Sequence, residues 1–168
     1  ARRAKSLTGI DISEVAVKKA RLEAKEAGLD NTEYIVMDAE NMTFKQNSFD
    51  LIFGRGIFHH LDLNRAFSSI AEALRPGGTA LFWEPLGHNP ALTAYRLFTP
   101  NARTPGEHPI VRSDIRLAER YFGDVSLRFC GLTTMATVPF RDSKLGDRFL
   151  KVADKIDQTL FRTPARWM

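Results

Sequence analysis

Cysteine is almost missing from this chain: Cys130 stands alone, so no internal disulfide forms and no second thiolate is available for a metal site. A lone cysteine of this kind reads as a small buried hydrophobe. Apolar runs are short, none approaching the roughly 20 residues of a membrane-spanning helix. Blocks of one charge are missing too. Lys and Arg alternate with Asp and Glu, and a net charge of +4 argues against a dedicated nucleic-acid groove. The opening Ala1-Arg2-Arg3-Ala4-Lys5 has no apolar signal core behind it, which makes a cytoplasmic address the expectation. The adjacent His59 and His60 have poor geometry for one ion, and no Cys or acid falls at ligand spacing, so no metal is expected. No repeat or low-complexity tract is visible.

What is present suits one globular domain: 168 residues, 43% hydrophobic and 26% charged. The informative stretch is residues 7–13, a short apolar strand that ends in Asp11 and turns at once into a helix opened by Ser13. In an open α/β sheet, ligands sit beyond the carboxyl ends of the strands. A carboxylate there has two acceptor oxygens for the two hydroxyls of a ribose. The plainer alternative is that Asp11 only caps the helix.

That helix carries Glu14 in its first turn, a small-residue stripe of Ala16 or Val17, Ala20, Ala24 and Ala27, and Gly28 as its left-handed stop. Residues 32–37 alternate as a second strand and run into Asp38-Ala39-Glu40, so two strands deliver acids to one edge. Asp38 has a plainer role open to it, as a turn residue bonding its own backbone. Asn47-Ser48 signals a turn, residues 49–53 a buried third strand, and Gly54-Arg55-Gly56 a place where backbone approaches a ligand closely. Asp62 is placed to cap a helix with Leu63, Ala66, Phe67, Ile70 and Leu74 on its apolar face, stopped by Pro76-Gly77-Gly78. Residues 79–83 form a fourth strand that ends at Glu84.

In order, Gly9-Ile10-Asp11-Ile12-Ser13, Asp38-Ala39-Glu40, Phe49-Asp50-Leu51-Ile52-Phe53, His59-His60-Leu61 and Leu74-Arg75-Pro76-Gly77-Gly78 resemble the class I S-adenosylmethionine-dependent methyltransferases. Within these the chain is most similar to the small-molecule group that includes the ubiquinone and menaquinone biosynthesis enzymes. The resemblance covers about the first half of the chain. It implies an α/β, Rossmann-like sheet with helices on both faces, and S-adenosyl-L-methionine as methyl donor to a small-molecule acceptor. By it, Asp11 holds the ribose hydroxyls with Ile12 beside it, Asp38 and the backbone of Ala39 meet the adenine, and Gly54 and Arg55 border the methionine part.

The chain departs from that family in lacking the strand and glycine-rich turn that precede the Asp matching Asp11. In family topology this strand lies between those at Leu7 and Phe49, so its absence leaves two unpaired edges. The closing antiparallel strand is also lacking, and the expectation is a partial methyltransferase domain over residues 1–168, cut at both ends.

The second half carries the acceptor side. Residues 86–112, broken by Pro90, Pro100, Pro105 and Pro109, read as a lid or acceptor-binding segment holding His88, Tyr95, Arg96, Arg103, Glu107 and His108, with residues 91–98 able to form a short helix. A plain surface loop is the alternative. Ser113 is placed to cap a helix that ends at Gly123, and residues 125–132 alternate like a strand. Residues 144–161 show a helical stripe of Leu145, Phe149, Val152, Ile156 and Leu160, expected to cover a core, with a membrane-surface or partner contact as the lesser reading. For a general base the candidates are His60, then His108 and Glu107. Two other readings stand beside methyl transfer: a non-catalytic binding or interaction module with a decayed donor site, and a nicotinamide-dependent oxidoreductase.

Overall fold

A computed structural model describes residues 4–87, 108–134, 137, 140, 143 and 145–167. The expectations for residues 91–98 and for His88, Tyr95, Arg96, Arg103 and Glu107 therefore lie outside the described residues. Two compact units divide the chain, Ala1–Trp83 and Glu84–Met168.

The first unit alternates strand and helix: β1 (Leu7–Asp11), α1 (Glu14–Glu26), β2 (Thr32–Val36), β3 (Phe49–Arg55), a short 3-10 turn (Phe58–His60), α2 (Leu63–Ala73) and β4 (Leu74–Trp83). β1 pairs with β2 in parallel, Leu7 opposite Thr32 and Asp11 opposite Val36. β3 pairs with β4 in parallel, Leu51 opposite Thr79 and Arg55 opposite Trp83. Among the described residues no ladder joins the two pairs. Among the described residues β1 and β3 therefore each pair on one side only, and the described strands form two parallel pairs.

Local chemistry sets the ends of these elements. Ser13 Oγ accepts from the Ala16 N–H at 3.3 Å to start α1, and Gly28, at φ 63°, follows the helix in the left-handed region. Asp62 Oδ1 accepts from the Arg65 N–H at 3.1 Å to start α2. The Pro76-Gly77-Gly78 segment is a bulge inside β4, where the register slips between Phe49 and Leu51, and not a turn that precedes the strand.

α1 packs on β1 and β2 through Val17 and Ala24, which are buried, with Ala16 and Ala20 half-buried. Ala27, expected on that face, is the C-cap and exposed. α2 buries Leu63, Ala66, Phe67, Ile70 and Ala73. Its aromatic contact is Phe58, which stacks on Phe82 at 3.9 Å and meets Phe67 edge-on at 5.1 Å. The opposite face of the β3–β4 pair is apolar but uncovered, with Leu51, Phe53, Leu81 and Trp83 all more than half exposed.

In the second unit, α3 (Arg112–Ala118) begins before Ser113. Val111 is its N-cap, and the Asp114 carboxylate reaches back to accept the Val111 N–H at 2.8 Å, which makes a serine cap unnecessary. It also ends at Ala118, short of Gly123. Residues 125–132 do not form a strand; among the described residues no strand lies beside them to give their backbone groups a ladder. Phe129 there packs near Phe161, ring centroids 6.1 Å apart, with the Arg166 guanidinium 5.7 Å from its centre.

α4 (Gly146–Leu160) forms where the stripe predicted it but presents a different face. Its buried residues are Gly146, Ala153 and Asp157, whereas Leu145, Phe149, Val152 and Ile156 are about half exposed. The reason is Asp157, only 2% exposed, whose carboxylate accepts from the Thr133 N–H at 2.7 Å, the Thr133 hydroxyl at 2.6 Å, the Thr134 N–H at 3.3 Å and the Thr134 hydroxyl at 3.1 Å. Burial pushes the Asp157 carboxyl up, and these four bonds together outweigh it and hold the group below the usual carboxylate range.

Candidate functional site

The parallel pairing of β1 with β2 puts Asp11 and the turn after β2 at one edge, where the Met37 N–H donates to the Asp11 carbonyl at 3.1 Å. Asp11 is exposed, and its Oδ1 accepts from the Ser13 N–H at 2.8 Å. That bond fixes the strand-to-helix turn and aims the carboxylate, while Oδ2 takes no hydrogen bond among the described residues. Helix capping itself falls to Ser13, so the two roles weighed for Asp11 are separate. Ile12 follows with 76% of its surface exposed, an apolar side chain beside an open acceptor.

Asp38 does the turn work that was its plainer alternative: Oδ1 accepts the Glu40 N–H at 2.8 Å, and its carbonyl accepts the Asn41 N–H at 3.1 Å. Ala39 lies inside that turn, half-buried.

Glu40 is the residue that sequence reasoning missed. Its Oε1 accepts the Asp62 N–H at 2.9 Å and its Oε2 pairs with Arg65 Nη1 at 3.2 Å. Its carbonyl accepts the Ser69 hydroxyl at 3.1 Å. The turn after β2 is thereby tied to the start of α2, whose N-cap Asp62 follows His60 by two residues. A carboxylate at a helix N-terminus is the available signal, but its partner is 22 residues away in sequence and no local pattern reveals it.

His60 is exposed and His59 half-buried, their ring centroids 4.0 Å apart and tilted by 41°. His108 is exposed in the second unit, and Glu107 lies outside the described residues.

At the end of β3, Gly54 has a packing explanation. A Cβ there would stand 2.3 Å from Phe82 Cε1 and 2.6 Å from Phe82 Cδ1, so the missing side chain is space filled by that ring. Arg55 reaches across to its strand partner, its guanidinium carbon 5.5 Å from the centre of the Trp83 ring. The described cavity lined by Arg21, Lys25, Asp30, Glu33 and Tyr34 lies at the start of β2, away from the edge that carries Asp11.

Residues 1–82 match the methyltransferase domain family. Among curated proteins, aklanonic acid methyltransferase of a Streptomyces species is 39% identical over 79 residues, 46% of this chain and 36% of that protein. Demethylmenaquinone methyltransferase of Listeria welshimeri is 37% identical over 73 residues, 43% of this chain and 31% of that protein. The matched segment thus covers about a third of either relative's length. Among solved structures, geranyl diphosphate C-methyltransferase of Streptomyces coelicolor aligns with a TM-score of 0.65 over 92% of this chain and 61% of that one, at 14% identity, a likeness of fold. The motifs around Asp11, Asp38 and Pro76 all fall inside the segment that matches the methyltransferase domain family, and over that segment the chain is similar to S-adenosylmethionine-dependent methyltransferases.

Proposed function

We propose that this chain takes part in transferring a methyl group from S-adenosylmethionine to a small organic acceptor, as one portion of a larger enzyme. The observation that carries the reading is Asp11: an exposed carboxylate at the carboxyl end of a parallel strand, one oxygen held by the Ser13 N–H and the other open. The two ribose hydroxyls of the donor bind to it, each charge-assisted bond contributing about 1.5–3 kcal/mol. Ile12 and the Asp38-Ala39 backbone border the adenine, and Arg55 with the Gly54 backbone the methionine part. The sulfonium of the donor supplies an already activated methyl group, so the chain's own task is to hold the acceptor in line, which is worth up to roughly 7–11 kcal/mol.

His60 is our first candidate to take a proton from an acceptor hydroxyl, because its ring is exposed on the 3-10 turn, two residues before Asp62, whose N–H the Glu40 carboxylate accepts. His108 and Glu107 are the candidates from the acceptor segment, residues 86–112. The small organic class of acceptor rests on the two relatives, named for aklanonic acid and a demethylmenaquinone. The unpaired edges of β1 and β3 favour a larger enzyme, since a strand between them would complete one continuous sheet.

The test is calorimetric titration of S-adenosylhomocysteine into this chain and into the longer protein that carries it, with NAD as competitor. The expected result is saturable binding that NAD leaves unchanged. Displacement by NAD would favour an oxidoreductase, and no binding by either form would favour an interaction module.

A further inference from the structure

We propose that α4 is a membrane-surface helix that lays its uncovered apolar stripe onto a bilayer containing anionic lipid. Successive helical residues turn by about 100°, so Leu145, Phe149, Val152 and Ile156 fall within about 60° of one another. All four are exposed, from 45% at Phe149 to 58% at Val152. Phe140, 49% exposed, extends the patch by meeting Phe149 edge-on at 5.6 Å. The buried side of the helix is elsewhere, at Gly146, Ala153 and Asp157, so the stripe is surplus to what attaches α4 to its own unit.

The charges around the helix choose the occupant. Arg148, Lys151 and Lys155 are exposed and follow the stripe on one flank, within about 60° of one another. None of the three forms an ion pair among the described residues. The exposed acids Asp147 and Asp154 lie diametrically opposite the stripe, facing away from whatever covers it. An apolar centre, unpaired cations at its border and acids on the far side is the order an interfacial helix needs. A headgroup layer meets all three cations at once because it is negative everywhere, whereas a protein groove must place acids at three matching points. No described helix is long and apolar enough to cross a membrane, so the contact is along the surface.

The experiment floats the 168-residue chain, and the longer protein that carries it, with vesicles of phosphatidylcholine alone and of phosphatidylcholine mixed with phosphatidylglycerol. The chain is expected to rise with the mixed vesicles only. Val152→Asn with Ile156→Asn should abolish flotation, and Lys151→Gln with Lys155→Gln should lower the partition coefficient by about fivefold per lysine. All four side chains are exposed, and unchanged circular dichroism confirms that the variants fold. Absence of flotation, equal flotation with both vesicle types, or indifference to both pairs of substitutions would overturn the proposal. So would a lipid-free dimer that the Val152→Asn, Ile156→Asn variant dissociates, which would assign the stripe to a second copy. None of these readouts depends on donor binding, so this proposal and the methyl-transfer reading fail separately.

Discussion

Gly54→Ala separates packing from ligand contact at the end of β3. The new Cβ would lie 2.3 Å from Phe82 Cε1 and 3.0 Å from Ile57 Cγ2. Ordinary carbon contacts begin near 3.5 Å, so the Phe82 ring has to retreat by about 1.2 Å. Behind it stands Phe58, stacked at 3.9 Å, buried, and braced edge-on by Phe67. Overpacking of this kind costs about 1–3 kcal/mol, against which the stiffer unfolded chain returns about 0.4–1 kcal/mol. A net loss of roughly 1–2 kcal/mol is expected, read as a lower urea midpoint by circular dichroism. Gly123→Ala, where a Cβ would meet nothing within 4 Å, is the control. Phe82→Leu in the Gly54→Ala background should recover part of the loss, because the two sites share one volume. If Gly54→Ala is as stable as Gly123→Ala, the packing account of this glycine is wrong.

Three further outcomes follow from the same geometry. Asp157→Ala leaves two backbone N–H groups and the Thr134 hydroxyl without their acceptor, the Thr133 hydroxyl keeping the Ala153 carbonyl at 3.0 Å, and should destabilise the second unit by about 3 kcal/mol or more, measured by urea unfolding. Its carboxyl is held below its unfolded value near 3.9, so the stabilisation is full above that pH and is lost as pH falls through the still lower folded value; Asp157→Asn should flatten this acid limb. Glu40→Ala removes the Asp62 N–H acceptor and the Arg65 partner together and should cost about 1–2 kcal/mol, whereas Arg65→Ala, which removes only the half-exposed ion pair, should cost under about 1 kcal/mol in the same assay.

The first half of the chain was legible because its signals are local. Ser13 and Asp62 bond three residues ahead, and the α2 stripe from Leu63 to Ile70 needs only helical spacing to be read. The place of Asp11 at the end of β1 was legible for the same reason, since strand, acid and helix start follow one another without a break. What could not be read depends on distant partners. Residues 125–132 alternate like a strand but have no strand beside them among the described residues, and alternation alone does not supply a ladder. The stripe of α4 was correctly placed on a helix, yet its burial was decided by Asp157 meeting Thr133 and Thr134, over 20 residues away. Gly54 and Glu40 are similar cases, one explained by Phe82 and the other by Asp62, and neither partner is visible in the local pattern.

The most direct test of the donor site is the affinity for S-adenosylhomocysteine of the protein with and without Asp11→Ala, alongside Ser13→Ala as a control that removes only the helix cap. Loss of two charge-assisted bonds to the ribose, at least about 3 kcal/mol together, predicts at least about a hundredfold weaker Kd for Asp11→Ala, at about 1.4 kcal/mol per tenfold, and little change for Ser13→Ala. Equal affinity for Asp11→Ala and the unaltered protein would contradict the assignment of Asp11 to the ribose, and with it the account of this edge of the sheet as the methyl-donor site.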